Sequence, residues 1–462
     1  MESESFVSAS YAEDRDATGE PRAAYAAALG VLETSDLAQL AQAIVARLAD
    51  RGVSFGTEPF VVDPVPRLLA GAEWDRLAAG LAQRARALNR FLLDAYGPQE
   101  IVAAGVIPAA TIAEAEGFEP DLAGSLPGYC APAAVIGFDV VRDASGEFLV
   151  LEDNLRTPSG IAYALAARDA LTHALPAGFP TPRPIDPIAY ELLDRVMRAA
   201  APAPGAAPCI VVLTDGPDNV AYYEHAEAAE RLGAPLVTPA DLLTDGGRLG
   251  VRLPDGSTHA VDVVYRRTDE DRVRDHDGEL TDVARILLEP WLAGRIGLVN
   301  AYGNGLADDK LVHGHVEDFV RFYLHEEPLV RSVPTHALDT PDKLRDALGR
   351  LPELVIKPRH GHGGDGVVIG AHAEQADLDR AAAELRARPG EFIVQPIIPL
   401  SCHPTVIDGR LESRHVDLRP FAFCTDSVEL IPGGLTRVAL EEGALVVNSS
   451  QQGGGKDTWV VD

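Results

Sequence analysis

Glu152 and Asn154 stand two residues apart in Phe148-Leu-Val-Leu-Glu-Asp-Asn-Leu-Arg156, and Asp139 stands in the preceding run Gly137-Phe-Asp-Val-Val-Arg142. On a strand, residues two apart share a face, so Glu152 and Asn154 aim at one point. Asp143-Ala-Ser-Gly146 between the runs reads as a tight turn, which brings Asp139 alongside on a neighbouring strand. Three converging hard oxygen donors suit Mg²⁺, which takes few protein ligands and completes its shell with water and substrate phosphate. A solvated, charged strand edge is the other reading of the same residues.

Cations follow further along the chain. Lys357 ends the apolar run Leu354-Val-Ile, and the loop after it carries Gly361, Gly363, Gly364 and Gly366. Glycines let backbone approach an anion closely, and their N–H groups can cradle phosphate. The loop is neither a Walker motif nor a dinucleotide fingerprint. Lys310, in Ala307-Asp-Asp-Lys, lies near the start of a helix, where surface charge is the alternative. Phe392-Ile-Val394-Gln395 is an apolar strand ending in an amide, suited to reading an adenine edge through its backbone. Arg414, Arg419 and Arg437 lie on later strands, and Asn448 to Lys456 adds flexible backbone and one more cation. Arg266 and Arg267 end the run Val261–Tyr265, where a carboxylate clamp and a surface ion pair are both open.

The elements that must place these groups read as follows. Ala24 to Tyr96 is mainly helical, with Leu77, Leu81, Leu88, Phe91, Leu92 and Tyr96 at helical spacing. The two strands come next, then a helix from Tyr163 to His173, a proline-rich connector over Pro176–Pro187, and a helix over Ala189–Ala200. After the linker Ala201–Pro208, Cys209–Leu213, Ala221–Leu232, Pro235–Thr238 and Val261–Tyr265 predict a parallel α/β unit. Its turn Thr214–Asn219 sits where open α/β sheets bind ligands, with a plain loop as the alternative. Leu354–Pro358 and Val367–Gly370 predict a hairpin, followed by a helix over Ala376–Arg388 and a strand over Glu391–Gln395. Arg414 to Val461 reads as strands between Gly-rich turns.

With 462 residues the chain suggests about three domains. Its 70 acidic against 40 basic residues give a net charge of −30, which argues against nucleic acid as a partner. A polyanion must therefore be met by locally placed Lys, Arg or Mg²⁺. Apolar runs are too short to span a bilayer, and the polar, acidic start lacks the order of a signal peptide, so a cytoplasmic protein is expected. Cys130, Cys209, Cys402 and Cys424 are scattered and indicate neither disulfide framework nor structural zinc. The pairs His313/His315 and His360/His362 lack a third ligand nearby, and adjacent Cys402 and His403 point apart on a strand.

The ordered set Gly-Leu-Ala-Asp-Asp-Lys310, Val-Ile-Lys357-Pro, the Gly-rich loop, Val-Gln395-Pro, Arg414-His-Val-Asp-Leu-Arg419 and Pro-Gly-Gly-Leu-Thr-Arg437 resembles the ATP-grasp superfamily. Because Glu152-x-Asn154 precedes the lysines, it resembles more narrowly the circularly permuted ATP-grasp type 2 family. Leu151–Gly160 and Val447-Asn-Ser-Ser-Gln451 are similar to that family's signatures, and the likeness runs from about Phe91 to Trp459. The resemblance implies an α+β and α/β architecture: a permuted ATP-grasp fold, an adjoining parallel α/β (pre-ATP-grasp-like) domain and a helical N-terminal region. The expected divisions are a flexible acidic tail over 1–23, helices and metal-binding strands of the large lobe over 24–207, and the α/β domain over 208–308. The small lobe would follow over 309–396, with the rest of the large lobe over 397–462.

The resemblance also implies ATP and Mg²⁺, with Asp139, Glu152 and Asn154 on the metal. Lys310, Lys357, Gly361, Gly363, Gly364, Gly366, Val394, Gln395 and Arg419 would bind nucleotide, and Arg437, Arg156 and Lys456 form the expected catalytic set. Gly137 stands where permuted relatives of the glutathionylspermidine synthetase type carry Arg, so phosphate binding there falls to Arg142, Arg156 or Arg437. The loop reads Gly-Gly-Asp365-Gly where the family has Gly-Gly-Tyr-Gly. The implied activity is ATP-dependent ligation of a carboxylate to an amine, or to a thiol, through an acyl phosphate, on an amino acid or peptide. A non-catalytic ATP-binding subunit serving a partner enzyme is the alternative, and a homo-oligomer stays open.

Overall fold

The structure, a computed structural model, describes residues 10–126, 131–203, 207–361, 366–444 and 454–462. The runs around Asp139 and Glu152 form an antiparallel pair, Val135–Arg142 against Phe148–Asn154, within a five-stranded sheet. A β-bulge decides what this pair presents. Asp139 lies opposite Glu152, but Val140 lies opposite Val150, which leaves Leu151 as the extra residue. Leu149 and Glu152 are an odd number of residues apart, so a regular strand would turn them to opposite faces; the extra residue brings them to one. Phe138, Val140 and Val150 form the other face. They pack with Leu88 and Phe91 of the helix Gly71–Ala95, whose apolar stripe covers that side of the sheet.

A second sheet of four strands runs in the order His336–Ala337, Phe392–Pro396, Leu354–Pro358, Val368–Ile369. Leu354, Ile356 and Val394 share a core with Leu378 and Leu385 of the helix Gln375–Ala387. Alternation then turns Val355, Lys357 and Gln395 to the opposite face. The expected α/β unit is a parallel sheet in the order Gly297–Val299, Val263–Arg267, Ile210–Thr214, Leu236–Val237. Helices Ile188–Ala200 and Tyr222–Leu232 pack on one face of it and Asp282–Leu292 on the other. The fold is thus a mixture of antiparallel and parallel sheets with covering helices. Among the described residues, no helix is long and apolar enough to cross a membrane.

The start of the chain departs from expectation. Residues 1–9 lie outside the described residues, but within the rest of the expected tail Ala12 bridges to Cys402 and Glu13 is buried, while residues 16–21 are exposed. Glu13 is 1% exposed and accepts from Arg67 Nε at 2.8 Å and Ser401 Oγ at 2.6 Å. Burial pushes its carboxyl up, and Arg67 and Arg142 outweigh that, holding it well below the usual carboxylate range. An acidic composition reads as solvated only when its partners, here 54 and 388 residues away, are unknown. Glu13→Ala strands a buried guanidinium, and we expect urea denaturation to show a loss of about 3–5 kcal/mol.

Candidate functional site

The two sheets face each other across a cavity of about 620 Å³. Asp139, Glu152 and Asn154 line it from one side, with Lys357 and Gln395 from the other. Arg156, Lys310, Gly361, Arg419 and Arg437 line it too, so most of the expected site residues meet in one place. Gly363 and Gly364 lie outside the described residues, as do His362 and Asp365. Gly366 has a φ of +70° and sits against Pro358, turning the loop back into Val368–Ile369.

Four residues singled out in the sequence are elsewhere. Val394 has its side chain in the core behind the second sheet. Lys456 is fully buried, where it is tied to Asp63 and donates to Val65 O at 3.3 Å and Pro404 O at 3.1 Å. That ammonium holds three segments together and does not reach the cavity. Arg142, a candidate for phosphate, instead donates to Glu73 at 2.5 Å and lies over the Phe148 ring. Arg414 donates to Leu440 O and Ser413 O.

At one end the cavity is apolar. Val355 and Ile369 of the second sheet lie across from Leu151, Val333 and Leu400. Gln395 marks the edge of this slot, its amide fixed by donation to Thr335 Oγ1 at 2.8 Å. At the other end Lys357 Nζ lies 3.5 Å from Glu152 Oε1, and Lys310 Nζ donates to Gly361 O at 2.9 Å. Burial lowers the Lys310 pKa, Glu152 opposes that, and the Lys357 charge adds to the lowering. Asn154 Nδ2 is buried without a hydrogen-bond partner. A buried orphan of this kind costs about 1–3 kcal/mol unless a ligand answers it.

Asp139 is the most engaged of the three candidate oxygen ligands. Arg419 grips it with Nε to Oδ1 at 2.6 Å and Nη2 to Oδ2 at 2.8 Å, and Arg437 Nη2 lies 2.9 Å from Oδ2. Burial pushes this carboxyl up, but the two guanidinium groups hold it well below the usual range. A carboxylate has about four acceptor positions, so Oδ1 retains one. A Cβ at Gly137 would lie 3.0 Å from Pro158 Cβ, so any side chain there requires Pro158 to shift by a few tenths of an ångström. The arginines that line this end of the cavity come instead from the strand Leu435–Val438 and from Arg419 just before Phe421–Cys424.

Residues that sequence reasoning missed do the positioning. Asp153, between Glu152 and Asn154, lies on the back face opposite Phe138. It accepts from Arg84 at 2.6 and 2.7 Å and pairs with His313 Nδ1 at 2.7 Å. Burial raises its carboxyl and Arg84 with His313 more than offset that, so it stays charged. Nδ1 of His313 is thereby engaged, and among the described residues no group of three His, Cys, Asp or Glu could hold a metal. Asp309 caps the short helix Lys310–His313 and accepts from Arg359 at 2.7 Å, tying Lys310 to the strand of Lys357. The Asp308-Asp309-Lys310 triplet was the available signal, but its partners are distant in sequence.

Asp308 accepts from Leu155 N at 2.7 Å and Arg156 Nε at 3.1 Å, and burial pushes its carboxyl up to about 7 against the pull of Arg156. In the unfolded chain it titrates near pH ~4. Between those values the folded state keeps a proton that the unfolded state has lost, so stability falls as pH rises through that window. We expect Asp308→Asn to flatten this slope by up to ~1.4 kcal/mol per pH unit, measured by denaturation from pH 4 to pH 8.

Comparison with known proteins agrees with this geometry. Residues 66–439 match the circularly permuted ATP-grasp type 2 family. The chain belongs to that family. An uncharacterized Mycobacterium tuberculosis protein is 42% identical over 459 residues, covering 96% of this chain and 83% of its own length. An uncharacterized Synechocystis protein is 42% identical over 407 residues, covering 87% of this chain and 84% of its own length. A Frankia alni protein bearing the name "Putative glutamate--cysteine ligase 2-3" is 41% identical over 470 residues, 99% of this chain but only 54% of that protein. The solved glutathione synthetase-like effector of Globodera pallida superposes with a TM-score of 0.58 over 93% of this chain and 99% of its own, at 11% identity. That likeness concerns the fold alone, and places the permuted ATP-grasp chain beside a known three-dimensional relative.

Proposed function

We propose that this permuted ATP-grasp protein is an ADP-forming ligase that joins a carboxylate to an amine. The observation that carries the reading is the single cavity that combines an apolar slot, the lysines Lys310 and Lys357, the arginine pair Arg419 and Arg437 and the Glu152/Asn154 strand. Adenine fits between Val355, Ile369 and Leu151, with Gln395 at its edge. The phosphates extend past Lys310 and Lys357. Mg²⁺ fits at Glu152 and Asn154, with the remaining acceptor position of Asp139, because these are hard oxygens on one face and Asn154 already lacks a partner. When bound there it would neutralise phosphate charge. The amide drawn with Nδ2 inward presents its oxygen instead after a half-turn of its terminal torsion.

In the first step one oxygen of the substrate carboxylate bonds to the γ-phosphorus, and ADP leaves with the electron pair of the broken bond. In the second an amine attacks the acyl carbon, loses a proton and expels inorganic phosphate. The chain's own contribution is positioning and charge stabilisation, which dominate phosphoryl transfer. Arg437 and Arg419, held by Asp139, are the fixed donors for the transferring group.

The Frankia name supports ligase chemistry, though roughly half of that protein lies outside the match. The direct experiment is ATP-dependent ADP release over a matrix of amino acids and amines. Release that requires one acid and one amine supports the ligase. ATP binding with no release in any combination favours a nucleotide-binding subunit of a partner enzyme.

A further inference from the structure

Arg419, Arg437 and Asp269 belong to the walls of two cavities at once. The second holds about 170 Å³ and is reached across the arginine pair from the larger one. Its position follows from the topology of the parallel sheet. The chain leaves Ile210–Thr214 towards Leu236–Val237 on one side, whereas Val263–Arg267 lies on the other. The loops that follow these two strands therefore diverge, and open α/β sheets bind ligands at such a switch point, outside the carboxyl ends of the strands. Asn219 from the first loop, with Thr268 and Asp269 from the second, line the cavity there.

The walls state what kind of molecule fits. Phe55, Phe60, Tyr163 and Leu435 make one side apolar, and Val220 stands at the rim with 51% of its surface exposed. Arg267 also lines the cavity, with Nη1 and Nη2 donating to Pro158 O at 2.8 Å, Ser159 Oγ at 2.6 Å and Glu224 at 3.1 Å, while its Nε is buried without a partner. It thus fixes the Thr157–Gly160 loop, and its charge is already answered by Glu224. His225 pairs through Nδ1 with Thr214 Oγ1 at 2.9 Å, and burial keeps its imidazole neutral. The other two arginines of the cavity, Arg419 and Arg437, stand on the shared wall.

We propose that the second cavity binds the acid that is phosphorylated, and that this acid is a single amino acid with an apolar side chain. The assignment rests on the ligase reading given above. A carboxylate against Arg419 and Arg437 faces the phosphate end of the larger cavity, where its oxygen can bond to the γ-phosphorus as ADP departs. Because the acid enters ionised, no proton moves in that step. Asp269, in the same wall, offers a counter-charge to an α-ammonium. The volume is below the ~300–1,000 Å³ of sites for drug-sized ligands, which leaves room for one residue. A second carboxylate on the side chain would be buried against Phe55, Phe60 and Leu435, where the charge of Arg267 is already neutralised by Glu224, at a cost of several kcal/mol.

The test is equilibrium binding of leucine, phenylalanine, glutamate, aspartate and lysine to the full chain, with Mg²⁺ and a non-hydrolysable ATP analogue present. Leucine or phenylalanine is expected to bind at least ~10-fold more tightly than glutamate or aspartate. Val220→Trp, at an exposed position, should fill the rim and weaken the apolar acids by ~10-fold or more while the affinity for the ATP analogue stays unchanged. Val220→Ala should leave both affinities within about threefold. Tighter binding of glutamate, aspartate or lysine, or an unchanged affinity in Val220→Trp, overturns the proposal and leaves the ligase reading standing. Failure of wild type to bind the ATP analogue defeats the ligase reading, and the proposal with it.

Discussion

Lys357→Ala is expected to slow ADP formation by ~10²–10³-fold, the usual effect of removing one fixed donor from a developing charge. Lys357, in the strand Leu354–Pro358, is 7% exposed, and the Glu152 carboxylate at 3.5 Å is too far for a tight ion pair. Lys310 lines the same cavity, and its lowered pKa includes repulsion from Lys357. Two ammonium groups brought together in a half-buried place cost stability until a polyanion arrives. Lys357→Met keeps the aliphatic stem and removes the charge. It should therefore unfold no more easily than wild type, and it should lose as much activity as Lys357→Ala. Steady-state ADP release together with urea denaturation separates these outcomes. Activity within threefold of wild type in either variant would remove Lys357 from the site.

What was legible in the sequence was legible because the groups lie close along the chain or follow a strict period. Glu152-x-Asn154 needs only the two-residue repeat of a strand, and Lys357 needs only the apolar run before it. The parallel unit announced itself through strand, helix and strand in succession. The same logic explains the misses. Val394 and Gln395 are neighbours on a strand, so only one of them can face the cavity, and the sequence does not say which. The answer comes from the helix Gln375–Ala387, whose Leu385 claims Val394 for the core. Lys456 carries the charge of a catalytic group, but Asp63, which neutralises it, is 393 residues away. Asp153 stands between Glu152 and Asn154, and only the packing of Arg84 behind the sheet shows it to be an anchor. The bulge at Leu151 carries no residue signature, yet it sets which side chains Asp139 and Glu152 stand with.

Arg437 should separate stability from catalysis in the opposite way to Lys357. Its guanidinium lies between two buried carboxylates, 2.9 Å from Asp139 and in closer contact with Asp417. Burial pushes the Asp417 carboxyl up, with Asp139 adding to the push, and Arg437 is the main force against it. Arg437→Ala leaves that charge uncompensated and is expected to cost about 3–5 kcal/mol. Asp417 then binds a proton more tightly when folded than unfolded, so the variant should regain stability as pH falls and lose it as pH rises. Arg437→Gln combined with Asp417→Asn removes the charges together and keeps hydrogen-bonding atoms in place. Its stability should return to within about 1.5 kcal/mol of wild type, because a paired loss is far cheaper than a broken pair. Its ADP release should nonetheless remain down by ~10²-fold or more, since Arg419 would be left alone at the transferring phosphoryl group. If the double variant regained activity to within tenfold, Arg437 would serve only to hold Asp417, and the role at phosphate would pass to Arg419 and Arg156.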